Sequence, residues 1–170
     1  EAARTTDAAI DYANTNSNIR TVFSTLASTM NSSTQLLILI ASHGNHNGDT
    51  YWFFTWGDEY TYVTDDDFAG EDYLGAIDNY SQEIIAMQQC YSGGFIDELS
   101  ASARFIMTAC NETYTAWSHP SYRYGAFDYY WISAINGATP PGAPGTAVDA
   151  DTDDDGKVSM YEAFIYAFNN

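Results

Sequence analysis

The sequence predicts an α/β domain built on a mostly parallel central sheet, with a β-hairpin added to it. Three observations lead there. Short, wholly apolar runs of strand length recur, Leu36-Leu37-Ile38-Leu39-Ile40-Ala41 being the strongest and Ile84-Ile85-Ala86-Met87 the next; such runs read as strands covered on both faces. They alternate with stretches whose apolar residues return at helical spacing. Each run stops in a turn of small polar residues and glycine, Ser42-His43-Gly44 and Cys90-Tyr91-Ser92-Gly93-Gly94. The carboxyl ends of parallel strands are where sheets of this class bind ligands.

Composition sets the bounds. At 170 residues, 45% hydrophobic and 16% aromatic, the chain is long enough for one domain with a sizeable core. The formal net charge is −18, with Lys157 the single lysine. That surface repels nucleic acid and anionic lipid, so neither is expected as a partner, and a monomer is expected. No run reaches the ~20 apolar residues of a membrane span. Cys90 and Cys110 are too few for a disulfide framework. The chain opens at Glu1, which reads as a processed or excised fragment. With the acidic, lysine-poor surface, the expectation is a secreted or extracytoplasmic protein.

In chain order, Glu1 to Asn18 is polar and reads as a loop or loosely packed arm. Ser17 or Asn18 is placed to cap a helix carrying Ile19, Val22, Phe23, Leu26 and Met30. The Leu36–Ala41 strand follows, expected to be central, and Ser42 to Gly48 reads as a turn-rich loop. Thr50–Trp56 and Tyr60–Val63 read as a hairpin with Asp58 and Glu59 at its tip. Asp65, Asp66 and Asp67 suit the first turn of a helix running on through Phe68, Tyr73, Leu74 and Ile77 to about Asn79. Glu83–Met87 is the second central strand, Phe95–Leu99 one helical turn, and Arg104–Ala109 a third strand. After a long loop, Phe127–Ile135 reads as an aromatic helix stopped by Asn136-Gly137, and Ala163–Phe168 as a short apolar helix.

Two of these strands end in reactive groups. One leads into His43-Gly44 and the other into Cys90. Neighbouring parallel strands would bring imidazole and thiol within a few ångströms of each other. A histidine can activate a thiol or protonate a leaving amine. A glycine beside it lets a backbone N–H approach a carbonyl oxygen, so the N–H groups of Gly44 and Cys90 are candidate oxyanion donors. Ser92 is a poor alternative nucleophile, because the G-x-S-x-G elbow needs glycine where Cys90 stands.

Leu36 to Gly44 followed by Gln88-Gln89-Cys90-Tyr91-Ser92-Gly93-Gly94-Phe95 resembles the caspase-like superfamily of cysteine peptidases. Within it the chain is similar to the legumain-type (C13) branch, especially its bacterial and archaeal members. Phe105–Cys110, Asn111–Trp117 and Tyr124–Tyr129 resemble the strand, loop and helix start that follow the nucleophile there. The resemblance covers roughly Ile19 to Gly137. It implies a three-layer caspase-like sandwich and hydrolysis of peptide bonds in peptide or protein substrates through a thioacyl-enzyme, with Cys90 as nucleophile and His43 as general acid/base. Legumains commonly cut after Asn and carry an acid two residues before the cysteine, where this chain has Gln88. Gln88 is nonetheless the position that would help line the pocket for the residue before the cut. Asp128 stands near another acidic pocket position of the family, and Trp117 is placed to wall the substrate groove. The family's first strand and its pocket arginine are not found in Glu1–Asn18. His46 and His119 read as solvated loop residues, and Cys110 as packing.

A second motif lies near the C-terminus. Asp151, Asp153 and Asp155 occupy positions 1, 3 and 5 of a twelve-residue EF-hand pattern. Gly156 stands at 6, Lys157 offers its carbonyl at 7, Ser159 is at 9 and Glu162 at 12. Six carboxylates within residues 149–162 would otherwise repel. The expectation is one structural Ca²⁺ and no organic cofactor, in a single dockerin-like loop and helix, because a proline- and glycine-rich stretch stands where a preceding helix would be.

The expected organisation is thus a peptidase domain over 1–137, a linker over 138–148 and a calcium loop with its helix over 149–170, packed on the same domain. Two functions are carried forward: a Ca²⁺-stabilised cysteine endopeptidase, and a non-catalytic Ca²⁺-stabilised binding module of the same fold.

Overall fold

A computed structural model describes residues 12–56, 62–118, 121 and 124–170. Contacts divide the chain into two compact units, Glu1–Tyr114 and Thr115–Asn170. No helix among the described residues is long and apolar enough to cross a membrane. The hairpin tip at Asp58 and Glu59, most of the N-terminal arm, and His119 lie outside the described residues.

The first unit opens with α1 (Asn16–Thr29), whose apolar residues fall on one face. Its N-cap is Thr15, a few residues earlier than the expected Ser17 or Asn18: the Thr15 hydroxyl accepts from the Asn18 N–H at 3.3 Å. Three strands, β1 (Gln35–Ile40), β5 (Gln82–Met87) and β6 (Arg104–Thr108), form a parallel sheet in the order β1-β5-β6. The register aligns Leu36 with Glu83, Ile38 with Ile85 and Ile40 with Met87, so these side chains share one face. That face packs on Phe23 of α1 and on Phe68, Tyr73, Leu74 and Leu99, the core of the unit. The mixed α/β architecture, with a parallel sheet and helices, is the expected caspase-like class.

Three expectations are corrected. β1 is not a central strand among the described residues. It pairs only with β5, and its burial alternates, leaving Leu37 57% and Leu39 48% exposed. The helix expected from Asp65 to Asn79 is only α2 (Asp65–Ala69); the chain turns back at Gly70, whose N–H closes on the Asp67 carbonyl, and resumes as a 3-10 turn at Leu74–Ala76. The apolar residues that mimic a helical period are buried from separate short segments. Third, the loop read over Ser42–Gly48 contains a strand, β2 (Gly44–Asn47). It joins β3 (Thr50–Phe54) and β4 (Tyr62–Thr64) in an antiparallel sheet of order β2-β3-β4. Asn and Gly carry little strand propensity, so backbone pairing to an aromatic neighbour makes this strand. The expected β3–β4 pairing is present.

Between β5 and β6 lie a 3-10 turn at Ser92–Phe95 and α3 (Ile96–Leu99), the expected helical turn. Glu83, fully buried in β5, meets Arg104 of β6 at 2.6 Å, and Arg104 also donates to the Leu99 carbonyl. Burial pushes the Glu83 carboxyl up, against the pull of Arg104.

In the second unit, α4 (Ala126–Asn136) and α5 (Met160–Asn169) pack on each other, with the rings of Tyr130 and Tyr166 6.5 Å apart. Between them residues 138–148 fold back on themselves: Ala138 bridges Ala147, and the Val148 N–H donates to Gly137 at 2.9 Å.

Candidate active site

The sheet register decides where the two reactive groups go. Ile40 lies opposite Met87, and the Gln88 N–H donates to the Ile40 carbonyl at 2.8 Å. His43 and Cys90 each stand three residues beyond that paired position, on adjacent parallel strands. Both leave the sheet at its carboxyl end. His43 is exposed and Cys90 half-buried.

Gly44 closes the gap. A Cβ built there would run into the Cys90 carbonyl oxygen and lie 2.8 Å from the Gln89 Cγ. Only glycine lets the chain after His43 cross the backbone at Cys90 so closely. The strand pairing also aims its N–H. The Phe54 N–H donates to the His43 carbonyl at 3.0 Å, which makes 43/54 a hydrogen-bonded pair and 44/53 a non-bonded one. The Gly44 N–H therefore points away from β3, toward the edge of β2 that has no strand partner among the described residues.

Much of the inner face of this small sheet rests on Gln89, Cys90 and the turn that follows them. Strand alternation puts Gly44 and His46 on one face of β2, and Tyr51 and Phe53 on the same face of β3. Gly44 meets Gln89 and Cys90, the His46 ring sits 4.6 Å from the Tyr91 ring, Tyr51 covers Gly94 with no room for a side chain, and Phe53 packs 6.0 Å from Phe95. Tyr91 holds a left-handed conformation, φ 59°, which costs a non-glycine residue roughly 1 kcal/mol or more. Its N–H donates to the Tyr114 carbonyl at 2.9 Å, and its carbonyl accepts from Gly94 at 3.1 Å. These bonds hold the turn that presents Cys90.

Beneath the turn, Ser92 is fully buried and donates to the Cys110 carbonyl at 3.4 Å, so its hydroxyl has no access to a substrate. The Cys110 thiol lies 3.6 Å from the Gln89 carbonyl and packs there. Gln89 is fully buried, and its amide has no hydrogen-bond partner among the described residues. Gln88, half-buried at the end of β5, is uncharged where an acid was the family expectation. Trp117 and Asp128 belong to the second unit: Trp117 is 77% exposed, and Asp128 sits in the first turn of α4, where burial raises its carboxyl to about 6.

Sequence reading missed the row of rings. His46, taken as a solvated loop residue, is exposed but stacked on Tyr51 at 5.5 Å and 13°. The signal was the i, i+2 spacing of Gly44 and His46, hidden because the segment was read as a loop.

In the acidic segment, single carboxylate oxygens of Asp151, Asp153 and Asp155 lie within 4.8 Å of one another. The loop is wound by its own backbone: Asp151 accepts from Asp155 and Gly156, Asp153 from Asp155, and Asp155 from Lys157. Glu162 stands outside that trio. Its carboxylate closes a capping box on Ser159 and accepts from the Thr152 N–H and hydroxyl, and these four donors hold it down at about 2.

A thiol and an imidazole stand just past the ends of adjacent parallel strands, with a glycine N–H turned away from β3 beside them, and these are residue types that nucleophilic acyl transfer uses. The chain belongs to the peptidase C13 family, a family of cysteine peptidases, whose sequence profile matches residues 8–136. No curated protein matches the chain.

Proposed function

We propose that the chain is a cysteine endopeptidase working through Cys90 and His43. The observation that carries this reading is the β1–β5 register, with Ile40 opposite Met87, together with Gly44 lying on the Cys90 backbone. The Cys90 thiolate attacks the scissile carbonyl, and the oxygen takes up negative charge facing the N–H groups of Gly44 and Cys90. As the intermediate collapses, the C–N bond breaks and His43 delivers a proton to the departing amine. The neutral imidazole then takes a proton from water, which attacks the thioester, and the acid product leaves with the thiol regenerated. The substrate is a peptide or protein, in keeping with the family.

The C-terminal loop fits a Ca²⁺ ion through Asp151, Asp153 and Asp155, whose oxygens already converge. Lys157 through its carbonyl, Ser159 and Glu162 complete the proposed set, Glu162 by exchanging cap partners for the ion. Such an ion serves stability, tying the loop to α5. A calcium-bearing exterior matches the charge of −18 and supports a secreted or extracytoplasmic setting.

A library of fluorogenic peptides, varied at the residue before the cut, tests the enzyme. Turnover is expected, with Cys90→Ala reducing it to background and His43→Ala lowering kcat by ~10²–10⁴-fold. Turnover retained by Cys90→Ala at an unchanged melting temperature would sink the dyad. Intact folding with no turnover and no labelling of Cys90 by peptidyl electrophiles would leave the binding module instead.

A further inference from the structure

We propose that His46, Tyr51 and Tyr91 form a subsite that takes a basic side chain, lysine or arginine, from the leaving-group side of the substrate. This rests on the peptidase reading above. The rings form one continuous surface: His46 stacks on Tyr51 and lies 4.6 Å from Tyr91, the residue directly after the nucleophile. Residues 46 and 51 face each other in a non-bonded antiparallel pair, the closer kind, which explains the stacking. The ring of His46 is tethered by Nδ1 lying 3.2 Å from the Gly48 carbonyl, and the ring of Tyr51 by its seat on Gly94. The surface is fixed, and it is open on the His46 side.

Its position follows from the chemistry. The leaving amine departs beside the imidazole that protonates it. β2 is the chain running on from that imidazole, with Gly44 at the oxyanion position and His46 two residues further along the same face. A substrate whose scissile carbonyl faces Gly44 thus carries the residues after the cut past His46.

Charge sets the ligand class. Aromatic faces attract cations. Tyr51 is also held in a negative field: after burial, the groups that push its hydroxyl up are Asp49, Glu112, Asp65 and Asp97. Asp49, Glu112 and Asp97 are exposed around the rings. The described cations of this unit are engaged elsewhere, Arg20 with Tyr73 and Asp72, and Arg104 with Glu83. Rings among carboxylates that pair with no described cation of this unit suit lysine or arginine and disfavour glutamate.

Internally quenched peptides test this. They share the best residue before the cut and differ only in the two residues after it: lysine, norleucine or glutamate. The wild-type enzyme is expected to give kcat/KM about tenfold higher for lysine than for glutamate at low salt, mostly through KM, with the ratio shrinking as salt rises. His46→Ala and Asp49→Asn are each expected to lower that ratio severalfold, with melting curves recording that the variants fold. Cleavage of all three peptides at equal rates overturns the subsite while leaving the peptidase standing. So does a ratio unmoved in both variants. Absence of any cleavage, of these peptides or of the fluorogenic library, removes both readings together.

Discussion

Gly44 and Cys90 touch backbone to backbone: the Cys90 carbonyl oxygen occupies the place where a side chain at Gly44 would begin. The contact links the strand that carries the histidine to the strand that carries the thiol. It gives position 44 a role that no other residue type can fill. Gly44→Ala is expected to lower kcat by ~10²-fold or more, since displacing one oxyanion donor costs that much. It should also lower the melting temperature, because the methyl must displace backbone and not a flexible side chain. Steady-state kinetics and a thermal melt check both. Wild-type kcat in Gly44→Ala would remove the N–H from the oxyanion site.

Calcium should raise thermal stability. With Asp151, Asp153 and Asp155 converging within 4.8 Å, removing the ion leaves mutual repulsion in the loop. EDTA is expected to lower the melting temperature by several degrees, and millimolar Ca²⁺ to restore it, in proportion to RT ln(1 + [Ca²⁺]/Kd). Asp151→Ala should abolish the shift. Identical melts in EDTA and in Ca²⁺ would dismiss the ion.

Asp128 predicts a pH dependence. Burial raises its carboxyl from 3.8 to about 6, so the folded state favours the proton more than the unfolded chain does. Its contribution therefore declines as pH climbs from about 4 to about 6, and above that the full penalty of a buried charge remains, about 3 kcal/mol. Asp128→Asn should stabilise the protein at pH 7.5 and change little at pH 4. Denaturation at the two pH values measures it, and a stabilisation equal at both would show the cause to be something other than the charge.

The Glu83–Arg104 pair ties the amino-terminal ends of β5 and β6 together. Arg104→Met leaves a fully buried carboxylate with its partner gone, and should cost about 3–5 kcal/mol. Adding Glu83→Leu to that variant should recover most of the loss, because the stranded charge goes with it. A double variant as unstable as the single one would mean that shape, and not charge, dominates at this site.

Much of this was legible beforehand. The runs at Leu36 and Ile84 are strands, as their short, continuous apolar character indicates, although only the second is buried on both faces. The helix start at Thr15 was missed by only two residues, and the hairpin of Thr50–Phe54 was read correctly from its aromatic run. What escaped was β2, whose Gly-Asn-His-Asn has the composition of a turn. With it went His46, whose partner Tyr91 is 45 residues away in sequence. The Asp65–Asn79 helix failed for the opposite reason: its apolar spacing is helical, but Gly70 breaks the backbone and tertiary burial takes up the pieces.

By itself, the sequence determined the α/β class, the strands that carry His43 and Cys90, and the acidic loop, because periodicity, turn residues and ligand spacing are local properties of the chain. Tertiary structure decided the rest. It made β1 an edge strand among the described residues, turned a polar loop into the strand that brings Gly44 onto Cys90, and gathered the rings of His46, Tyr51 and Tyr91. Those outcomes depend on register and on which backbone edge finds a partner, and both are settled by pairing between segments far apart in sequence.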